Sequence, residues 1–308
     1  MAKKRTPRKK NREVFVSLLF FLSRDQKTAV DHWLRGRKEY REIQQADFVI
    51  VSPPKSGRTW LRAMLSRFFQ LRYSLPEDKL LGFDNYHRMN REIPRIRFTH
   101  DRYVSDYTKN RDSKRDFYGK KVILLVRDPR DVAVSNYFQW IHTVNPYKRK
   151  LLNIPEDARE TPISEYAMTE RFGIPRTVKF LRAWAGELEH TRAHLLMRYE
   201  DMRRDPAQSL LNVLEFMGIS PTDEEIDAVI QYTSFENMKK LEGTRLHDSG
   251  SRRLMVKDPG NPDAFKVRRG KVGGYRDYFT PEELETIDRL VEEQVPPVYG
   301  YGREKTEH

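Results

Sequence analysis

The run Pro53-Pro54-Lys55-Ser56-Gly57-Arg58-Thr59 gathers two cations, two hydroxyls and a glycine into one short turn. Such a turn suits a multiply charged phosphate or phosphosulfate: the cations give charge and N–H donors, the hydroxyls give further donors, and glycine lets the backbone approach closely. Before it, Phe48 to Val51 is an aromatic and β-branched run of the kind that forms a strand covered on both faces. A helix starting near Thr59 turns its free N–H groups and positive dipole end onto the same turn. The pattern is not a Walker A loop, because the lysine stands two residues before the glycine instead of directly after it, and no magnesium ligand is obvious. An ordinary basic strand-to-helix turn is the plainer alternative.

Two further segments repeat the arrangement. Val122 to Val126 is a continuous apolar run, followed by Arg127-Asp128-Pro129-Arg130-Asp131 and an apolar helical stretch to Ile141. Asp128 or Asp131 can cap that helix, and Arg127 leaves the strand's carboxyl end, where open α/β sheets bind ligands. Ser135, one turn on, can face the same crevice; a capping and salt-bridge cluster is the competing account. Val267 to Phe279 is a basic, glycine-rich loop with aromatics. Thr280, Pro281 and Glu283 then mark a helix start as cap, first residue and capping box. Here the competing account is a solvated charged loop.

In order and spacing these segments resemble the PAPS-dependent sulfotransferase family, which moves a sulfuryl group from 3'-phosphoadenosine 5'-phosphosulfate (PAPS) to an acceptor hydroxyl or amine. PPKSGRTW is similar to the family's 5'-phosphosulfate loop, RDPRDVAVSNYF to its 3'-phosphate motif, and RRGKVGGYRDYFT to its C-terminal Arg-Lys-Gly loop. The resemblance runs from about Ala46 to Val295. It implies that Lys55 stabilises charge developing on the bridging oxygen of the leaving phosphate, and that Ser56, Gly57, Arg58 and Thr59 cradle the 5'-phosphate. It further implies that Trp60 stacks on adenine, that Arg127 and Ser135 bind the 3'-phosphate, and that Arg268, Arg269 and Gly270 close over it. Tyr199, in a stretch similar to the family's Tyr-Glu-Asp segment, is implied near the adenine, and Thr233 and Phe235 beside it; core packing is the alternative for all three. The sequence departs from the family pattern at Arg58, where Thr is common, and at Gly274-Tyr275, where Asp-Trp is common.

An acceptor hydroxyl loses its proton as it attacks sulfur, and histidine is the usual base near neutral pH. Among eight histidines, His100 ends an expected strand, Ile96 to Thr99, between the first two motifs. Arg97-Phe98-Thr99-His100 resembles the Lys-Thr-His stretch that carries the family's catalytic base; an ordinary core or surface histidine is the alternative. His190 and His194 are four apart without the glutamate of a metalloprotease helix, and read as helix-end residues rather than ligands.

These residues need a frame that brings position 55 to position 270. Apolar runs at 47–52, 96–99, 122–126 and 194–198 alternate with helical patterns at 59–72, 131–141, 176–189, 206–217 and 281–295. The alternation predicts an α/β fold: a single P-loop-like domain over 46–300, with a central parallel β-sheet flanked by helices. Residues 1–45 read as a basic tail plus a short apolar or amphipathic segment. Val14 to Leu22 is too short to span a bilayer, and the absence of a small-residue cleavage site argues against export. The expected location is cytoplasmic, with either an interfacial helix at the anionic inner membrane face or a helix packed on the domain.

With no cysteine in 308 residues, disulfides, thiolate metal ligands and cysteine nucleophiles are excluded. No metal is expected. The net charge of +13 is concentrated in Lys3 to Arg12, Arg88 to Arg97 and Lys266 to Arg276. It fits an anionic donor yielding 3',5'-diphosphoadenosine, and no nucleic-acid-binding motif accompanies it. The expected acceptor carries a hydroxyl. The Tyr and Arg content of 82–94, 102–115, 142–161 and 246–264 favours a glycan or glycolipid over a small molecule. The competing functions are a P-loop nucleotide kinase and a non-catalytic basic binder of nucleic acid or membrane.

Overall fold

The computed structural model describes residues 15–16, 18–143, 160–243, 260, 265 and 267–302. Its sheet has four strands, β1 (Phe48–Val51), β2 (Ile96–Thr99), β3 (Lys121–Val126) and β4 (Ala193–Arg198), in the order β2-β1-β3-β4. All pairs are parallel, with Val49 opposite Arg97 and Val122, and Val122 opposite His194. The four strands coincide with the four apolar runs of the sequence, and the architecture is the expected single α/β domain.

Both faces of the sheet are covered, which is why the central strands read as unbroken apolar runs rather than alternating ones. Val49, Val51, Val122, Leu124 and Val126 point into one core, shared with Val178, Leu181 and Trp184 of α4 (Ile174–Ala185) and Ile287 and Val291 of α9 (Pro281–Gln294). Phe48, Ile50, Ile123 and Leu125 point into the other. There they meet Leu61, Met64, Leu65 and Phe68 of α2 (Arg58–Tyr73), Val213 of α6 (Pro206–Phe216) and Val229 of α7 (Asp223–Tyr232). As expected, α9 starts with a Thr280–Glu283 capping box and Pro281 in its first turn.

The longest helix, α1 (Arg24–Gln45), has no counterpart in the expected helical patterns. It buries Ile43 and otherwise docks through polar and aromatic groups. Glu42 and Glu39 pair with Arg97 of β2 at 2.7 and 3.6 Å, Thr99 Oγ1 donates to Glu39, and Trp33 and Tyr40 bracket Tyr107. The expected acceptor loops 82–94 and 102–115 contain single-turn helices, Asn85–Met89 and Val104–Thr108, anchored by buried Tyr86 and Val104. Most of 142–161 and 246–264, and the basic stretch at 3–12, lie outside the described residues. His194 is an exposed residue within β4, not a helix end, whereas His190 closes a short 3-10 turn.

From β1 the chain crosses to β2 on one side and then returns to β3 on the other. That reversal opens a crevice beyond the carboxyl ends of β1 and β3, the place where doubly wound sheets bind ligands. The turns at 52–57 and 127–131 face each other across it.

Candidate active site

A cavity of about 300 Å³ occupies this crevice. Lys55, Gly57, Arg58, Thr59, Trp60, His100, Arg127, Ser135, Tyr199, Thr233, Phe235, Arg268, Arg269 and Gly270 all line it. Ser56, the one expected site residue outside the lining, is fully buried within the turn. Motifs separated by more than two hundred residues thus converge on one space.

The first turn is shaped to hold an anion. Lys55 and Gly57 both take positive φ, 68° and 83°. At Gly57 a Cβ would sit 2.6 Å from the Tyr199 ring, so only glycine fits. Gly57 is also the N-cap of α2 and supplies no side-chain acceptor, which leaves the first-turn N–H groups to a ligand. In the same turn the Ser52 and Ser56 hydroxyls are buried without hydrogen-bond partners. Buried unsatisfied donors are costly, and phosphate oxygens at the turn would be suitable acceptors for them.

The charged turn after β3 divides its labour. Arg130 forks onto both Asp128 carboxylate oxygens at 2.9 and 2.7 Å and reaches Asp288 of α9 at 2.5 Å. Asp128 also accepts the Arg130 N–H at 2.9 Å, capping α3 (Pro129–Thr143). For this half of the motif the salt-bridge and cap account is correct. Arg127 instead faces the cavity. Its guanidinium lies 4.2 Å from the Tyr199 ring centre and donates to the Lys55 and Lys271 carbonyls at 3.2 and 3.3 Å. Asp131, 3.4 Å from Arg127, accepts the Gly273 and Tyr275 N–H groups at 2.9 and 3.0 Å. Asp131 is thereby the clasp that holds the C-terminal loop over the crevice, in place of the cap it was expected to share with Asp128.

In that loop Gly270 has φ 61°, and a Cβ there would meet the Phe235 ring at 2.8 Å. Arg268 stacks 3.8 Å from the Phe138 ring centre and donates to the Tyr278 hydroxyl at 2.6 Å. Arg269 pairs with Asp277 at 2.6 Å. At the opposite end the Trp60 indole N–H donates to the Thr233 carbonyl at 2.9 Å, fixing an aromatic wall with Tyr199 and with Phe235, the first residue of α8 (Phe235–Gly243). Arg203 lies within 5.6 Å of the Trp60 ring centre and 5.8 Å of the Phe235 ring centre. Sequence reasoning missed it, although it follows Tyr199 by four residues and so shares its helix face in α5 (Tyr199–Arg204).

His100 stands at the carboxyl end of β2. Its Nδ1–H donates to the Ser52 carbonyl at 2.8 Å, which fixes the tautomer with the Nε2 lone pair directed away from that bond. Arg58 Nη2 donates into Nε2 at 2.5 Å. Burial, then the charges of Arg58, Arg176 and Arg102, hold His100 well below the ordinary imidazole range, against the opposing pull of the Ser52 carbonyl. Both burial and the neighbouring cations favour the neutral form of the imidazole.

The family model of the sulfotransferase domain matches residues 45–297. The chain is 27% identical over 286 residues to flavonol 3-sulfotransferase of Flaveria bidentis, covering 85% of this chain and 87% of the relative. It is 26% identical over 282 residues to amine sulfotransferase of Oryctolagus cuniculus, covering 88% and 87%. Among solved structures, mouse sulfotransferase SULT7A1 complexed with PAP aligns at a TM-score of 0.54 and 24% identity, over 81% of this chain and 84% of that one. Retinol dehydratase in complex with retinol and PAP aligns at 0.54 and 17% identity, over 81% of each chain. At these identities the structural likeness shows a shared fold.

Proposed function

The chain belongs to the sulfotransferase domain family, and from that premise we propose that it transfers the sulfuryl group of PAPS to an acceptor hydroxyl, with His100 as general base and Lys55 at the leaving phosphate. The observation that carries this reading is one cavity lined by Lys55, His100 and Arg127 together with an aromatic wall. Lys55, the α2 N-terminus and the two buried serines suit the 5'-phosphosulfate, Arg127 and Ser135 the 3'-phosphate, and Trp60, Tyr199 and Phe235 the purine.

PAPS supplies the sulfuryl group and leaves as 3',5'-diphosphoadenosine; the chain's own residues manage proton and charge. His100 Nε2 takes the acceptor's proton as the new O–S bond forms. Lys55 stabilises the electron pair that stays on the phosphate oxygen as the old S–O bond breaks. The test is calorimetric titration, without magnesium, with 3',5'-diphosphoadenosine beside AMP and ATP. The 3'-phosphorylated nucleotide should bind in preference, and Arg127→Ala should weaken it about tenfold or more, as loss of a charge-assisted phosphate contact does. A magnesium-dependent preference for ATP would point to a kinase instead.

For the acceptor, a glycan or glycolipid is proposed, on the Arg and Tyr content of the surrounding loops; a labelled-donor screen in which only small phenols or alcohols accept would refute it. A cytoplasmic location with contact at an anionic membrane face is proposed for the N-terminal segment. Val16 is buried there, while Phe15, Leu18, Phe20 and Phe21 project into solvent, and no helix of the described residues is long and apolar enough to cross a membrane. The full chain should co-sediment with anionic phospholipid vesicles and lose that with Phe20→Ser/Phe21→Ser; equal binding by both chains would refute the contact.

A further inference from the structure

We propose that Arg58 is a donor-controlled cover on the general base: without donor its guanidinium occupies His100 Nε2, and the donor's anionic oxygens draw it away, exposing the base only when the donor is in place. The inference rests on His100 being the base of the proposed transfer. Arg58 Nη2 lies 2.5 Å from Nε2, and the Nδ1–H bond to the Ser52 carbonyl at 2.8 Å leaves Nε2 as the atom with a lone pair. A donated N–H there engages the pair that must accept the acceptor's proton. As arranged, the base is blocked.

The same geometry supplies the release. Arg58 is the first residue of α2, directly after Gly57, so it springs from the anion-binding turn itself and lines the cavity with His100. A guanidinium bound to a neutral imidazole gains less than one forked onto phosphate or sulfuryl oxygens, which bear charge and match its planar donors. An anion at the turn therefore favours the uncovered state by the difference in affinity, which is all a population shift needs. Product carrying the 5'-phosphate keeps Arg58 off the newly protonated ring, and the cover returns once nucleotide and proton have left. Donor binding thereby precedes productive acceptor chemistry.

The other charged groups around the imidazole do not duplicate this device. Arg102, in the loop after β2, and Arg176, on α4, act on His100 through charge and are weaker in effect than Arg58. Asp101, the next residue, is turned to the Trp184 indole N–H at 3.2 Å and Lys114 at 2.7 Å. Removing Arg58 should leave the ring beside two cations but with Nε2 open.

The test is nitrogen-15 NMR of the histidine rings against pH, for the full chain and for Arg58→Ala and Arg58→Lys, with and without 3',5'-diphosphoadenosine. The His100 signals are assigned by their loss in His100→Gln. In the nucleotide-free parent the Nε2 resonance should report an accepted hydrogen bond. Saturating nucleotide should release that bond and raise the ring's titration by about one pH unit or more, a size typical of removing an adjacent cation. Arg58→Ala should show the released signal without nucleotide, and Arg58→Lys should restore part of the shift. In parallel, the acid limb of kcat, set in the ternary complex, should lie above that of kcat/KM for donor, and Arg58→Ala should bring the two together. Nucleotide that binds by calorimetry yet leaves the Nε2 resonance unchanged would overturn the cover while leaving the transferase reading intact. Failure to bind nucleotide at all would overturn both.

Discussion

Replacing His100 with alanine should lower kcat by about 10²- to 10⁴-fold, the usual contribution of a positioned general base, and should not weaken 3',5'-diphosphoadenosine binding by more than about threefold, since the ring is proposed as a base and not as a phosphate ligand. Calorimetry and sulfuryl-transfer rates on one preparation check both halves. His100→Gln, closer in size, separates loss of the base from loss of packing. Either variant turning over within about threefold of the parent would move the base elsewhere. The pH behaviour gives a second handle. Burial and the Arg58 charge hold the folded-state value below the ordinary 6.5, so kcat/KM for donor in the parent should stay flat as pH falls through 6.5 and decline only below it. The same depression makes folding sensitive to acid. Above the unfolded value neither state is protonated and stability is complete; as pH falls toward the folded value only the unfolded chain binds the proton, and stability is lost.

The frame of this site was legible where the physics was local. Central strands covered on both faces must be apolar throughout, so β1 and β3 stood out, and the Thr280–Glu283 capping box fixed the start of α9. Helix α1 escaped because its docking is mostly polar: Asp31 and Glu39 are among its few buried residues and its partners are Arg97 and Thr99. An apolar period of 3.6 was therefore weak, although Ser23 with Gln26 forms a capping box that marked its beginning. Residue type alone could not divide Arg127 from Arg130. The division follows from a local fork, since Arg130 reaches back two residues to Asp128 while Arg127 is drawn across the crevice to Lys55 and Lys271. The clasp from Asp131 to Gly273 and the contact from Arg58 to His100 span 142 and 42 residues. No spacing rule encodes such pairs, and both became visible only when the sheet set its loops face to face.

Lys55→Met should cost about 10²- to 10³-fold in kcat, the scale of losing one preorganised donor at a developing oxyanion, with less than tenfold change in the dissociation constant for 3',5'-diphosphoadenosine. Methionine keeps an unbranched apolar stem of similar length while removing the ammonium. The lysine is held by more than its side chain. Its backbone sits at φ 68°, a sparsely populated region for a residue with a Cβ, and its carbonyl is tied to Arg127 at 3.2 Å. Strain of this sort persists only where the surroundings over-determine the turn, and here it sets the Cα between Pro54 and the buried Ser56. The side chain thus springs from a fixed backbone, whereas in the proposed reading ground-state phosphate binding is shared with the α2 N-terminus and Arg127. That sharing is why kcat should fall much further than affinity: charge on the bridging oxygen grows only as the S–O bond breaks, and an interaction made chiefly then contributes to rate rather than to binding. Lys55→Arg should rescue little, because the broader guanidinium cannot place a point charge on one oxygen from the same backbone position. Equal losses in kcat and nucleotide affinity would assign Lys55 to phosphate binding alone.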